Sequence, residues 1–127
     1  MTQPTVTLYG IPNCSTVRKA RAWLTVHQIA YQFHDFKKAA PDADLIAGWL
    51  QDIALDALLN RKGTSWRQLD PSQRDAAAEP SGARALMMAM PSVIKRPVLT
   101  LTTGSGQQRS HVGFSDALYQ HIFQPQP

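Results

Sequence analysis

The only cysteine in this chain of 127 residues, Cys14, stands in the run Gly10-Ile11-Pro12-Asn13-Cys14-Ser15-Thr16-Val17-Arg18. The residues before it alternate as a strand does and those after it repeat as a helix does, so the thiol falls at a helix N-terminus. There the macrodipole and free backbone N–H groups stabilise an anion, and a cysteine so placed ionises below the ~8.5 of a free thiol. The same N–H groups can cradle an oxyanion ligand. A lone cysteine is equally a small hydrophobe suited to a core, but Asn13, Ser15, Thr16 and Arg18 are poor company for a buried residue. With no second cysteine an internal disulfide is impossible. An oxidised Cys14 must therefore be resolved by an outside thiol.

The net charge of +4 favours anionic partners in general. The thirteen basic residues are scattered, with no stripe interleaved with aromatics and no Cys/His spacing of a zinc module. A small anionic molecule suits that pattern better than a nucleic acid. His27, His34, His111 and His121 lack metal-ligand spacing and read as surface or structural, with His111 nearest the thiol in strand order, so no metal site is expected. Trp23, Trp49, Trp66, Met87, Met88 and Met90 read as packing residues.

The elements that must position Cys14 follow from the hydrophobic pattern. Thr5 to Tyr9 alternates and ends at Gly10, a first strand. Ser15 to about His27 is a helix with Val17, Ala20 and Leu24 on one face, and Ile29 to His34 is a second strand, parallel to the first because a helix separates them. Leu45, Ile46, Trp49, Leu50 and Ile53 mark a second helix. From Leu55 to Met90 come short helices: Leu55 to Leu59, a turn at Lys62-Gly63, a start at Asp70-Pro71, and Ala83 to Met90 after a break at Pro80-Ser81-Gly82. Pro97 to Thr102 and Gln108 to Val112 form a hairpin across Gly104-Ser105-Gly106, and Ser115 caps a last helix carrying Leu118, Tyr119, Ile122 and Phe123. The Gln/Pro tail beyond it is expected to fray.

The result is an α/β order of βαβ, helical insert, ββα. Residues 1–127 read as one domain with a core at 4–38 and 96–124 and an insert at 41–91. Hydrophobic residues make up 43% and charged residues 17%, an ordinary globular balance. No run reaches the ~18 apolar residues that span a bilayer, and Met1-Thr2-Gln3-Pro4 lacks the parts of a signal peptide. These features lead us to expect a cytoplasmic protein with no membrane partner.

The run from Leu8 to Leu24 resembles the active-site segment of the arsenate reductase-like (ArsC/Spx/YffB-like) family, most nearly its YffB-like branch. The likeness continues through Leu59-Asn60-Arg61-Lys62-Gly63-Thr64, through Met90-Pro91-Ser92-Val93-Ile94-Lys95-Arg96-Pro97-Val98, and through Val112-Gly113-Phe114. It implies a thioredoxin-like fold with a mixed four-stranded sheet. It also implies a cysteine thiolate that attacks arsenate in the members with reductase activity, with arginines holding the oxyanion. By motif those roles fall on Cys14, Arg61 and Arg96, with Asn13, Ser15, Thr16, Arg18 and Pro97 around the substrate. Arg96–Pro97 is expected to be cis, as thioredoxin-like folds have a cis proline before the third strand.

Two positions depart from the reductases, which carry a histidine where this chain has Gly10 and a third arginine where it has Phe114. A third departs from the Spx-like regulators, which often carry a CxxC pair, because Val17 stands three residues after Cys14. The expected function is a thiol oxidoreductase related to arsenate reductase but inefficient with arsenate. It needs no bound cofactor, takes glutathione as co-substrate or glutaredoxin as partner, and acts on a small anionic or disulfide substrate. The alternative is a non-enzymatic binding protein that contacts RNA polymerase as the Spx-like relatives do.

Overall fold

The computed structural model describes residues 4–123. The chain runs β1 (Thr5–Gly10), α1 (Ser15–Val26), β2 (Gln32–Asp35), α2 (Ala43–Leu50), α3 (Leu55–Leu58), α4 (Thr64–Arg67), α5 (Pro71–Ala76), α6 (Pro80–Ala89), a 3-10 turn (Pro91–Val93), β3 (Val98–Thr102), β4 (Gln108–Val112) and α7 (Asp116–Phe123). The four strands form one mixed sheet in the order β2-β1-β3-β4. β1 pairs in parallel with β2 and antiparallel with β3, and β3 pairs antiparallel with β4. This is the thioredoxin-like arrangement that the family resemblance implied, with α2 to α6 inserted between β2 and β3. The Gln/Pro tail and residue 124 lie outside the described residues.

Alternation along β1 separates two apolar clusters. Val6 and Leu8 join Leu99 of β3, Val17, Ala20 and Leu24 of α1, and Tyr119 of α7. Tyr9 and Val98 point the other way, into a cluster with Phe36, Ile46, Trp49 and Met87. Full burial of a side chain such as Leu8 or Leu24 contributes about 1.5–3 kcal/mol. α1 is tied to α7 by the Trp23 indole N–H, which donates to Asp116 at 2.7 Å. The insert is tied to the edge strand by Asp52, which accepts from the Ser110 N–H at 2.8 Å.

Local capping chemistry sets the start of three helices. Asp42 accepts from the Leu45 N–H, Asp70 and Gln73 form a reciprocal capping box ahead of Pro71, and Ser115 accepts from the Leu118 N–H. Three boundaries differ from the sequence reading. β2 begins at Gln32 rather than Ile29, because Gln28 turns left-handed (φ 59°) and the Ile29 N–H is still bonded to the Leu24 carbonyl. Thr64–Arg67 forms an extra helical turn, α4. α6 already includes Pro80, Ser81 and Gly82, so this Gly82 is no break. A Cβ there would stand 1.9 Å from the Ala76 carbonyl oxygen, so the glycine permits the close approach of α5.

Candidate active site

Cys14 is the N-cap residue of α1, in extended conformation (φ −107°, ψ 126°), with its carbonyl accepting from the Arg18 N–H at 2.9 Å. The loop that delivers it from β1 is held by a close contact between Gly10 and α1. A Cβ on Gly10 would stand 2.7 Å from a methyl of Val17, which is itself fully buried. Two of the departures noted in the sequence are thus one packing feature, since Val17 fills the space that a side chain at position 10 would need. The thiol is half-buried and packs against the cluster under α1 and α7.

Burial by itself raises the pKa of the Cys14 thiol, but the groups around it more than reverse this, and the net shift is downward. The backbone N–H of Val17, the Arg96 guanidinium and the backbone N–H of Thr16 all favour the thiolate. The side chain makes no capping hydrogen bond of its own.

Arg96 is fixed from behind. Its Nη1 donates to the Ser92 carbonyl at 3.0 Å and to the Ile94 carbonyl at 3.4 Å, while its Nε is buried without a partner. The Arg96–Pro97 bond is cis, as expected. Pro97 is buried, and its carbonyl accepts from the N–H of Gly113 at 2.8 Å. Gly113 has φ 84°, a conformation that leaves the chain free to turn away from β4 into Phe114.

The remaining residues singled out in the sequence divide. Thr16 helps to lower the thiol pKa through its N–H, whereas Asn13, Ser15 and Arg18 are exposed, and the guanidinium that lowers it is that of Arg96. Arg61 is also exposed, and Asp56 of α3 holds it in an ion pair. Phe114 turns into the cluster that Cys14 touches and meets the ring of the buried Tyr119 edge-on at 4.7 Å. His111 lies across the sheet from Leu99, and burial lowers its pKa. Asp52 acts against that shift, and Arg109 and His121 add to it.

Sequence reasoning missed Asp56 and Trp66 as neighbours of Arg61, and no motif marks either. It also missed a cavity of about 760 Å³ at the C-terminal end of α1, where His27 stacks on Trp23 at 3.8 Å. That cavity is remote from the thiol, because eight residues of helix, Ser15 to Ala22, separate Trp23 from Cys14.

Residues 9–122 match the model of the ArsC family. A solved YffB protein is 42% identical, with a TM-score of 0.82, over 92% of this chain and 97% of its own. A solved arsenate reductase (ArsC)-related protein from Brucella melitensis is 41% identical, with a TM-score of 0.67, over 95% of this chain and 96% of its own. The global transcriptional regulator Spx of Streptococcus pyogenes is 26% identical over 113 residues, 87% of this chain and 79% of the regulator.

Proposed function

The chain belongs to the ArsC family, and on that premise we propose that it is a thiol-dependent oxidoreductase with Cys14 as nucleophile and glutathione, supplied directly or through glutaredoxin, as reductant. The observation that carries this reading is the position of Cys14 as N-cap of α1, beside Arg96, where the Val17 N–H, the Arg96 guanidinium and the Thr16 N–H together lower the thiol pKa. These groups favour the thiolate, the nucleophilic form of a cysteine, and the N–H groups of the helix end are available to an anionic substrate.

With a disulfide substrate, the Cys14 thiolate attacks one sulfur. The substrate S–S bond breaks, a mixed disulfide forms on Cys14, and the other substrate sulfur leaves as a thiolate that takes up a proton. A first glutathione thiolate attacks the Cys14 sulfur and releases the second substrate thiol, which leaves Cys14 glutathionylated. A second attacks the glutathionyl sulfur, and the Cys14 thiolate returns with one molecule of oxidised glutathione. Two glutathione molecules thus supply the two electrons that reduce the substrate disulfide. The external thiol is obligatory because the chain has no other cysteine.

Arg96 is the residue we assign to the sulfur and to a bound anion, and Arg61 to a more distant negative group of the substrate. Arsenate is a poor fit to this assignment, since Phe114 stands where the reductases carry a third arginine. An apolar wall there suits an organic thiol or disulfide. We place the protein in the cytoplasm; among the described residues no helix is long and apolar enough to cross a membrane.

Mass spectrometry after incubation with oxidised glutathione tests the reading. One glutathionyl adduct on Cys14, removed by reduced glutathione, is the expected result, and a thiol that stays unmodified at equilibrium would sink it. The likeness to Spx favours a second reading, a regulator that binds RNA polymerase without turnover. On that reading polymerase capture survives Cys14→Ala and no glutathione-dependent turnover is found.

A further inference from the structure

The sheet ends at β4, and this edge carries basic side chains that the thiol chemistry does not use. In the β3–β4 hairpin Arg109 lies opposite Leu101, and His111 lies opposite Leu99. Directly paired residues share one face of a sheet, and both leucines belong to the cluster under α1 and α7. Arg109 and His111 therefore project towards α7, whose last turn carries His121. The three basic residues line one cavity of about 370 Å³, with Leu101 and Ile122 as its apolar wall. Small-molecule sites have volumes of ~300–1,000 Å³.

No counter-ion offsets these basic groups inside the cavity. Among the described residues no carboxylate lines it, and none of its basic side chains is in an ion pair. Arg109, His121 and burial all act against a proton on the half-buried His111, and only Asp52 acts for it. The Asp52 carboxylate is engaged at the strand edge, where it accepts from the Ser110 N–H. A basic rim, an apolar wall and no acid together complement an organic anion. One arginine fork already satisfies a carboxylate in a bidentate pair. Two further imidazoles add donors that a phosphate monoester, with three terminal oxygens and up to two charges, can use.

We propose that the cavity between β4 and α7 binds a small phosphate monoester, with Arg109, His111 and His121 around the phosphate and Leu101 and Ile122 against its organic body. An anion held there favours the protonated imidazole, so ligand binding and protonation of His111 strengthen each other. The site is distinct from that of the thiol, since its lining includes none of Thr16, Val17 and Arg96, which act on Cys14.

The test is an NMR titration of the full chain with phenyl phosphate at pH 7, followed through the imidazole signals of His111 and His121. Both signals should move saturably, and the protonation midpoint of His111 should shift to higher pH in the complex. Arg109→Gln should weaken binding about tenfold. Inorganic phosphate and benzoate, lacking the organic body and the third oxygen respectively, should each bind more weakly than phenyl phosphate. Because the helix N-terminus at Cys14 can also take an anion, Arg96→Gln serves as the control, and the histidine response should survive it. Signals that do not saturate, an undiminished affinity in Arg109→Gln, or a response lost in Arg96→Gln would overturn the proposal. Inorganic phosphate or benzoate bound as tightly as phenyl phosphate would overturn the assignment of a phosphate monoester. None of these outcomes bears on Cys14 as nucleophile.

Discussion

The segment before β3 and the turn after α3 each deliver one arginine, and they do so on opposite terms. Arg96 is committed: two backbone carbonyls hold its Nη1, its Nε is buried, and the adjoining Pro97 is enclosed. Arg61 is held by one exposed carboxylate and an aromatic face. A charge fixed by the scaffold needs no reorganisation when a negative charge develops beside it, which is how electrostatic preorganisation accelerates chemistry. A charge paired only at the surface, where water competes, can change partners. The first arrangement suits the reacting sulfur and the second suits recognition.

The largest effect expected is that of Cys14→Ser, which should abolish glutathionylation and turnover completely while leaving the fold intact. Serine is a preferred N-cap residue, so α1 should lose nothing at its start. Circular dichroism and thermal melting check the fold, and residual turnover in the variant would mean that the chemistry lies elsewhere. Next in size is the contrast between the arginines. Arg96→Gln removes a charge-assisted contact worth about 1.5–3 kcal/mol, or roughly ten- to a hundredfold in rate, and should raise the thiol pKa. Arg61→Gln should leave that pKa where it is and weaken only the binding of anionic substrates. Titration of the Cys14 alkylation rate against pH reads both, and an equal shift in the two variants would erase the distinction.

The committed side of this comparison was largely legible in the sequence, and the exchangeable side was not. Alternation up to Tyr9, the glycine after it and the polar run around Cys14 are local signals, and they place a thiol at a helix N-terminus. Arg96 is marked by the proline that follows it. Asp56 has no such mark, because its meeting with Arg61 five residues on depends on how the chain turns between Leu59 and Gly63. Gly82 misled for a related reason: its value lies in the approach of Ala76 from another helix, which no periodicity within α6 reveals. The link between Gly10 and Val17 is likewise invisible until the strand and the helix are packed together.

Phe114 extends the comparison to the substrate. Arsenate at neutral pH carries one to two negative charges, and the third reductase arginine is absent here. Phe114→Arg should therefore bring arsenate reduction, with glutathione and glutaredoxin supplied, from a poor level up by about tenfold or more. Robust wild-type turnover of arsenate, unaffected by the substitution, would show that two arginines suffice. The ring of Phe114 also packs on Tyr119, so the variant should be somewhat less stable, and its activity must be compared at a temperature where both proteins are folded.

The smallest expected effect separates the pH dependence of the site from that of the fold. The Cys14 thiolate is lost as pH falls through its lowered pKa, which slows alkylation with the protein still folded. His111 acts differently. Burial depresses its pKa, the Asp52 carboxylate opposes that shift, and Arg109 and His121 reinforce it. Between the unfolded value near 6.5 and the lower folded one, the unfolded chain binds the extra proton, so stability is fully present above pH ~6.5 and declines as pH falls through the folded value. His111→Gln should flatten this decline in denaturant midpoint below pH ~6.5 without altering the pH profile of Cys14 alkylation in folded protein. A profile that moves with the histidine would instead couple His111 to the thiol, and the site could then no longer be treated as the committed pair of Cys14 and Arg96.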